Sequence, residues 1–192
     1  MARDAAPRWD RKMQQRLARG EAAALGELYD RFASLVHMLA LRVLDDESAA
    51  DQVTREVFGY IWENPDAYDH KQGSMRSWVA KLTNSQAVHR LRQSEAAAVA
   101  RGSGSPEELE LKVRRAAVAA RADYIVTSMP APLRAALELA YHQRRNYRET
   151  ARDLGVSEDE ARRRLRLGLQ LLSTANARPL EGSSPPGYGR PW

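Results

Sequence analysis

Apolar residues recur with a helical period in the first half of the chain, and no strand-like alternation persists anywhere in the sequence. In one stretch they fall at positions i, i+3, i+4, i+7 and i+11, as Phe32, Leu35, Val36, Leu39 and Val43. This spacing places the five side chains on one face of an amphipathic helix. Together with the absence of strand patterns, it predicts an all-α fold.

A second predicted helix runs from about residue 49 to residue 63 and carries two apolar stripes. Val53, Val57 and Ile61 form one stripe, and Phe58 with Trp62 forms another that is displaced around the helix axis. A helix in a small bundle needs only one stripe for its own core. The second stripe is therefore available for a partner, although a helix wedged between two neighbours has the same pattern.

A third predicted helix follows the turn at residues 65–74 and combines aromatic, basic and amide side chains. Met75, Trp78, Val79 and Leu82 mark its inward side, and Trp78 is interpreted as mainly a core residue. The later half of the helix carries Lys81, Asn84, His89, Arg90 and Arg92. Cations for phosphates and flat faces for unstacked bases are what single-stranded DNA requires, so this helix is a candidate binding surface.

Residues 146–172 have the layout of a helix-turn-helix, with the sequence NYRETARDLGVSEDEARRRLRLGLQLL. Asn146 followed by Glu149 predicts a capping box at the start of the first helix. Gly155 stands where that helix must end and turn. Ser157 then opens the second helix, with Glu160 at the position that can bond back to the cap.

The second helix of this motif carries a cluster of arginines. Leu165, Leu169 and Leu172 recur at three to four residues and predict an inward stripe, which directs the arginines outward. The outward residues are Arg162, Arg163 and Arg166. Such a face suits DNA, and the alternative is a solvated basic face on an ordinary helical hairpin.

Glycine, serine and proline divide the chain into two helical blocks. The segment RGSGSPEE at residues 101–108 cannot continue a helix and indicates a flexible linker, and the tail from residue 178 has little to bury. We therefore predict two small helical domains joined by a flexible linker. The expected order is an N-terminal extension (1–20), a first domain (21–95), a linker (96–108), a second domain (109–175) and a disordered tail (176–192).

Composition narrows the class of protein. The chain has 192 residues and 43% hydrophobic content, enough for one large or two small domains with real cores. Lys and Arg total 30 against 25 for Asp and Glu, and the resulting net charge of +5 favours a polyanionic partner. The chain has no cysteine, which excludes disulfides and thiolate metal sites.

Nothing in the sequence indicates an enzyme or a cofactor site. The four histidines have no metal-ligand spacing, and no glycine-rich phosphate loop follows a strand. No apolar run approaches the roughly 20 residues that span a bilayer, and the first residues lack the apolar core of a signal peptide. We therefore expect a cytoplasmic protein that is not an enzyme, binds no cofactor and does not insert into a membrane.

The two blocks resemble two conserved regions of bacterial sigma factors of the sigma-70 superfamily, in the extracytoplasmic-function (ECF) group. Region two is similar to DRFASLVHMLALRVLDDESAADQVTREVFGYIW, DAYDHKQGSMRSWVAKL and AVHRLRQ. Region four is similar to MPAPLRAALELAYHQRRNYRETARDLGVSEDEARRRLRLGLQLL. The resemblance covers roughly residues 21–92 and 129–172, in the family's order and at its usual separation.

This resemblance implies a subunit that binds core RNA polymerase and directs initiation at particular promoters. It implies that the first module binds the β′ clamp helices and captures the melted non-template strand of the minus-ten element. It implies that the second module binds the β flap and reads the minus-thirty-five element as duplex in the major groove. Regulation by an anti-sigma protein is a further implication of the family, not of these residues.

Residue roles follow from the resemblance position by position. The polymerase-binding set is Asp51, Glu56, Phe58 and Trp62. The minus-ten set is Arg76, Trp78, Lys81, Asn84, His89 and Arg92. The duplex-binding set is Tyr147, Arg148, Arg162, Arg163, Arg164 and Arg166.

Several polar positions depart from the family pattern. Gln52, Arg55 and His89 stand where the family usually has Asp, Gln and Asp, and the recognition helix opens with Asp159 and Glu160. A carboxylate at that helix end faces the DNA phosphates and should weaken duplex contact, although it also stabilises the first turn. The alternative function is therefore a sigma-like regulatory protein that binds polymerase or an anti-sigma partner without efficient initiation. A duplex-binding repressor that uses only the second module is a third reading.

Overall fold

The computed structural model describes residues 8–177 and confirms the all-α fold, since those residues form eight α-helices and no strand. The helices are α1 (Arg8–Ala18), α2 (Ala22–Leu44), α3 (Glu47–Glu63), α4 (Met75–Ala100), α5 (Pro106–Ser128), α6 (Ala131–His142), α7 (Tyr147–Leu154) and α8 (Glu158–Ala177). A short 3-10 turn at Pro65–Ala67 precedes α4. The predicted disordered tail lies outside the described residues, except that positions 176 and 177 still belong to α8.

The chain divides into two compact units, with the boundary between Ala120 and Arg121. The boundary falls within α5, whereas the sequence places the domain limit at the glycine-rich segment. That segment is shorter than the linker predicted at 96–108, because α4 continues to Ala100 through an alanine-rich stretch of high helix propensity. Only residues 101–105 separate α4 from α5, and Pro106 begins α5 at a position where its missing N–H costs nothing.

The core of the first unit forms where α2 packs against α3 and α4, and where α3 packs against α4. The predicted inward stripe of α2 is confirmed, since all five of its apolar residues are buried. Val53, Val57 and Ile61 of α3 are fully buried as well. These contacts fix the relative positions of the two helices that carry most of the candidate site.

Helix α1 is an integral part of the first unit, although the sequence marks it only as an extension. It packs against α2 and against the 3-10 turn. Met13 and Leu17 are buried, and the ring of Trp9 lies edge-on to Phe32 with centroids 6.1 Å apart. The guanidinium of Arg31 lies over the Trp9 ring, 4.3 Å from its centroid. Met13 and Leu17 are spaced four residues apart, which is a helical period. The assignment of residues 1–20 as an extension did not use this signal.

The second unit is a bundle in which α6 and α7 both pack against α8. The predicted inward stripe of α8 is partly wrong, because Leu169 is 58% exposed. The buried side of the helix instead runs through Ala161 and Gly168, where the absence of a side chain lets Leu137 of α6 approach. A close approach at a glycine rotates α8 so that Leu169 faces outward.

None of the helices within residues 8–177 combines the length and the apolar character needed to cross a membrane.

Replacing Gly168 by alanine should destabilise the second unit. A Cβ atom there would lie 2.8 Å from Cδ1 and 2.9 Å from Cγ of Leu137. Overpacking of this kind costs about 1–3 kcal/mol, against about 1 kcal/mol gained by replacing a helical glycine with alanine. We expect a net loss of up to about 2 kcal/mol in the free energy of unfolding, measured by denaturant unfolding.

Gly26→Ala is the matched control, because Gly26 also lies inside a helix but has nothing within 4 Å of its Cβ position. This variant should raise the free energy of unfolding by about 1 kcal/mol through helix propensity alone. If both alanine variants stabilise the protein, close packing against Leu137 does not make an alanine at position 168 destabilising.

Candidate nucleic-acid interface

The helix-turn-helix of the second unit begins with the predicted capping box. The Asn146 side chain accepts hydrogen bonds from the backbone N–H groups of Arg148 and Glu149, both at 3.0 Å. The Glu149 carboxylate in turn accepts the N–H of Asn146 at 2.9 Å. Both halves of the box are present, so the orientation of Tyr147 and Arg148 in the first turn of α7 is locally fixed.

The turn between α7 and α8 follows from Gly155, which has a left-handed backbone with φ 63°. Glycine adopts this conformation without the steric cost that a Cβ would bring. Ser157 then caps α8 by accepting the N–H of Glu160 at 3.2 Å. The predicted return bond is not made, because the Glu160 carboxylate pairs with Arg163 and Arg164 instead.

Arg162 stacks on Tyr147, with its guanidinium carbon 4.1 Å from the ring centroid. A hydrogen bond from Arg162 lowers the pKa of the Tyr147 phenol, with a smaller contribution from Arg148, and the same contact raises the pKa of Arg162. The ring orients the planar guanidinium, whose nitrogens also lie 3.4 Å from Asp159 and 3.9 Å from Glu158. Among the described arginines of α8, Arg162 is the one that lies over an aromatic ring.

Carboxylates in the first turn of α8 pair with most of the predicted duplex-binding arginines. The nitrogen-to-oxygen distances are 3.6 Å for Arg148–Glu158, 3.4 Å for Arg162–Asp159, 3.5 Å for Arg163–Glu160 and 2.7 Å for Arg164–Glu160. The hydrogen bond from Arg164 is the main reason why the pKa of Glu160 is lowered. The basic surface is thus partly neutralised within the protein, as the sequence of this helix suggested.

The arginines of α8 do not share one face. Successive residues of a helix are about 100° apart, so Arg162 and Arg166 lie on one side and Arg164 lies almost opposite. Arg162, Arg163 and Arg166 are exposed, whereas the Arg164 side chain is largely covered. The exposed residues are the ones positioned to meet a duplex.

In the first unit, four of the predicted minus-ten residues share one face of α4. At about 100° per residue, Trp78, Lys81, His89 and Arg92 fall within about 80° of one another. Lys81, His89 and Arg92 are exposed, and Trp78 is half-buried with its ring centroid 5.4 Å from that of Tyr68. This surface, the α4 face, combines an aromatic ring with cationic and polar groups as the sequence predicted.

The other two predicted minus-ten residues lie elsewhere on α4. Arg76 is exposed but more than a third of a turn away from the α4 face. Asn84 is buried, and its Nδ2 donates a hydrogen bond to the carbonyl of Ala120 in α5 at 2.7 Å. Its Oδ1 has no hydrogen-bond partner among the described residues. In this arrangement Asn84 ties α4 to α5 and does not face solvent.

Asp51 and Glu56 of α3 are both exposed but lie on different sides of the helix. His37 Nε2 contacts the carboxylates of Asp51 at 3.1 Å and Glu47 at 3.2 Å. Glu56 pairs with Arg90 of α4 at 2.7 Å, and Arg90 also bonds to Gln52. Glu56 therefore belongs to a contact between α3 and α4, whereas Asp51 lies on the open side of α3.

The predicted second stripe of α3 is only half exposed. Phe58 is 5% exposed and packs against Tyr29 of α2, with ring centroids 4.8 Å apart. Trp62 is 37% exposed, and Tyr29 is exposed beside the same helix. Asp51 and Trp62 lie about 20° apart around α3 and about three turns apart along it, with buried Phe58 between them on the same side.

Sequence reasoning missed residues whose roles depend on distant partners. Tyr68 lies in the polar turn before α4 and is buried under Trp78, and His37 of α2 faces the acidic side chains of α3. An aromatic residue in an otherwise polar turn was a usable signal for Tyr68. No local pattern pairs a histidine with carboxylates ten or more positions away.

An all-helical chain with a basic helix-turn-helix in one unit and an aromatic, cationic helix face in the other has the features of a nucleic-acid-binding protein. A family model described as Sigma-70 region 2 matches residues 28–96. Within the described residues the match spans most of α2, all of α3 and nearly all of α4, which are the helices that form the first candidate surfaces.

Similar proteins extend this likeness over most of the chain. The ECF RNA polymerase sigma factor SigK of Mycobacterium bovis and that of Mycobacterium tuberculosis are each 28% identical to it over 165 residues, covering 82% of this chain and 88% of the relative. SigK of a further Mycobacterium species is 26% identical over 163 residues, covering 81% and 84%. The solved structure of CnrH in complex with the cytosolic domain of CnrY is 19% identical, with a TM-score of 0.38 over 88% of this chain and 97% of that one.

The chain is thus similar to ECF sigma factors of the sigma-70 family, through the region 2 model over residues 28–96 and through the named relatives over most of its length. The expected resemblance to this family is thereby confirmed.

Removing one carboxylate from the first turn of α8 should strengthen binding to duplex DNA. Glu160→Gln keeps the shape of the side chain but releases Arg163 and Arg164 from their ion pairs. We expect the full-length protein to bind a random-sequence duplex severalfold more tightly. The slope of log K against log salt should steepen by about 0.9 for each arginine that gains a phosphate contact. Fluorescence anisotropy over a salt series measures both quantities.

Glu138→Gln on α6 is the matched control, because Glu138 is exposed and the change in charge is the same. It should leave the salt slope unchanged. Identical behaviour of the two variants would show that net charge matters and that the pairing does not. Weaker binding by Glu160→Gln would show that Glu160 orients the arginines for DNA.

Proposed function

We propose that the protein is an ECF sigma factor that joins core RNA polymerase and directs initiation of transcription at specific promoters. The observation that carries this proposal is the match of residues 28–96 to sigma-70 region 2, in a chain whose other unit is a basic helix-turn-helix. The related proteins of known name are also RNA polymerase sigma factors. This proposal places the protein in the bacterial cytoplasm, where RNA polymerase acts.

In this proposal the first unit binds polymerase through α3. Asp51 and Trp62 form the accessible surface, and buried Phe58 supports it from below. A partly exposed tryptophan is typical of an interface hot spot, and Asp51 lies on the same side of α3 about three turns away. The β′ clamp helices are the partner that the family implies. Glu56 contributes indirectly, by holding Arg90 and therefore α4 against α3.

The α4 face then receives the non-template strand of the opened minus-ten element. Lys81 and Arg92 supply positive charge for the phosphates, and Trp78 supplies an aromatic surface for an unstacked base. His89 adds a polar side chain at the edge of the same face. Arg76 is exposed outside this face and would reach flanking backbone only.

The second unit reads the minus-thirty-five element as duplex. The stacked Arg162 is the candidate for contact with guanine, since a guanidinium edge can bond to O6 and N7 together. Arg148, Arg163 and Arg166 are exposed for phosphate contact, which adds affinity without sequence choice. The β flap is the polymerase element that the family implies for this unit. An anti-sigma protein would act by covering Trp62 or the arginines of α8.

Transcription in vitro tests the proposal directly. The full-length protein is added to purified cognate core polymerase on genomic DNA fragments, and transcript ends are mapped. We expect discrete start sites that depend on the protein. Polymerase binding without discrete starts would contradict the proposal and support the regulatory alternative, which the similarity to named sigma factors does not favour.

Two substitutions should separate polymerase binding from promoter recognition. Trp62→Ala should weaken affinity for core polymerase at least tenfold, as loss of a buried interface tryptophan does. Arg162→Ala should leave that affinity unchanged and reduce discrimination between promoter and altered minus-thirty-five sequences by about tenfold or more. Polymerase affinity is measured by titration of labelled protein, and discrimination by competitive transcription.

Met38→Ala and Arg164→Ala are the controls. Met38 is an exposed apolar residue of α2 on the side away from Tyr29, so its loss should not affect polymerase binding. Arg164 is held by Glu160, so its loss should affect promoter discrimination less than the loss of Arg162. Equal loss of both activities in either test variant would contradict the proposed division between the two units.

A further inference from the structure

Asp10 of α1 is a buried acidic residue whose partners lie some 60 positions away. It is 5% exposed, and its Oδ2 accepts a hydrogen bond from the backbone N–H of Met75 at 2.8 Å. The Tyr68 hydroxyl lies 3.3 Å from the same oxygen and also donates to the carbonyl of Gly73 at 2.9 Å. A carboxyl group is buried at a cost unless such bonds compensate it, so its presence here requires a structural reason.

The reason is the first turn of α4. Met75 is the first residue of that helix, and the first N–H groups of any helix have no partner within it. Ser74 satisfies one of them by accepting the N–H of Ser77 at 3.2 Å, and Asp10 satisfies that of Met75. A carboxylate at this end of the helix also interacts favourably with the helix dipole. Helix α1 thus caps α4 from outside.

Gln14 makes a second set of contacts one turn further along α1. Its Nε2 donates to the carbonyl oxygen of Tyr68 at 2.6 Å, and its Oε1 lies 3.2 Å from Nδ1 of His70. Asp10 and Gln14 are four residues apart and therefore lie on the same face of α1. Between them they hold the loop at residues 68–74 at both of its ends.

The loop in turn supports the α4 face. The Tyr68 ring is buried and lies against Trp78, the aromatic member of that face. Burial raises the pKa of the Tyr68 phenol above its usual range, and the charge of Asp10 adds to the effect. The phenol therefore stays protonated and keeps donating its hydrogen bond. The contacts connect α1 to Trp78 through a single buried side chain.

We propose that Asp10 and Gln14 are positioning residues for capture of the opened DNA strand. They fix the loop at residues 68–74 and the first turn of α4, the helix that carries Trp78. The inference rests on the proposed function of the α4 face. It assigns a role to α1, which lies outside the matched residues 28–96. A base that stacks on a side chain gains binding energy only if that side chain is already held in place.

Gln14→Ala and Gln15→Ala form a matched pair for the test. They change the same residue type at neighbouring positions of α1, and Gln15 is exposed and directed away from the loop. Each full-length variant is combined with core polymerase. Affinity for polymerase, thermal unfolding and affinity of the holoenzyme for a single-stranded oligonucleotide carrying the non-template minus-ten sequence are measured.

For Gln14→Ala we expect about tenfold weaker binding of the oligonucleotide, as loss of two partly buried hydrogen bonds implies, with polymerase affinity unchanged. Discrimination between the correct oligonucleotide and one with scrambled bases should fall as well. A merely structural role would lower all affinities together and leave that discrimination intact. Equal behaviour of Gln14→Ala and Gln15→Ala would overturn the inference.

Asp10 is tested by two substitutions, because removal of a buried carboxyl group can unfold a domain. Asp10→Asn keeps an oxygen that can accept the Met75 N–H, and Asp10→Ala does not. We expect the alanine variant to lose more oligonucleotide affinity than the asparagine variant at a temperature where both are folded. Parallel loss of polymerase and oligonucleotide binding, restored for both on cooling, would show a role in stability only and overturn the inference.

Failure of the proposed function has a different signature. If the wild-type holoenzyme neither binds the minus-ten oligonucleotide nor initiates transcription, the proposed function is wrong and the inference falls with it. If the wild type does both and the α1 variants match it, only the inference is wrong.

Discussion

Helix N-termini carry N–H groups that the helix itself cannot satisfy, and both candidate surfaces of this protein depend on how those groups are bonded. In the second unit the solution is local. Asn146 and Glu149 cap α7, and Ser157 caps α8 three residues before Glu160. In the first unit the solution for α4 is partly long-range, since Ser74 bonds the N–H of Ser77 and Asp10 of another helix bonds that of Met75. Local caps can be read from neighbouring letters of the sequence, and a cap supplied by a distant helix cannot.

The electrostatics of α8 show how a basic surface can be moderated without losing its basic residues. The carboxylates of the first turn stabilise the end of the helix and also pair with the arginines that follow. A phosphate group approaching this end must compete with both effects. Arg162 differs in also lying over the Tyr147 ring, which orients its guanidinium while Asp159 and Glu158 neutralise part of its charge. The charge of Arg162 is therefore moderated by carboxylates of α8, and its orientation is set by an aromatic ring of α7.

Much of the fold was predictable because it follows from periodicity and from local capping. The apolar stripe of α2, the main stripe of α3 and the capping box at Asn146 all obey rules that span fewer than a dozen residues. The composition also indicated two helical blocks, although the alanine-rich end of α4 carries that helix to Ala100, past the predicted start of the linker. Helix propensity was the competing effect at that boundary.

The errors arose where the outcome depends on which helices come close together. Leu169 has the spacing of a core residue, but the contact between Gly168 and Leu137 turns it outward. Asn84 and Phe58 have the chemistry of binding residues, yet neighbouring helices cover both. The sequence assigned the candidate site residues to the correct helices. It did not show which side of each helix would be covered by neighbouring helices.

The position of Asp10 has a consequence for how genes of this kind are compared. Met13 lies three codons further on, and a reading frame assigned to start there would still encode every residue that matches sigma-70 region 2. Such a polypeptide would lack Trp9 and Asp10 and would retain only the second half of α1. An error in the assigned start codon would leave all residues that match the family model in place while deleting the carboxylate that caps α4.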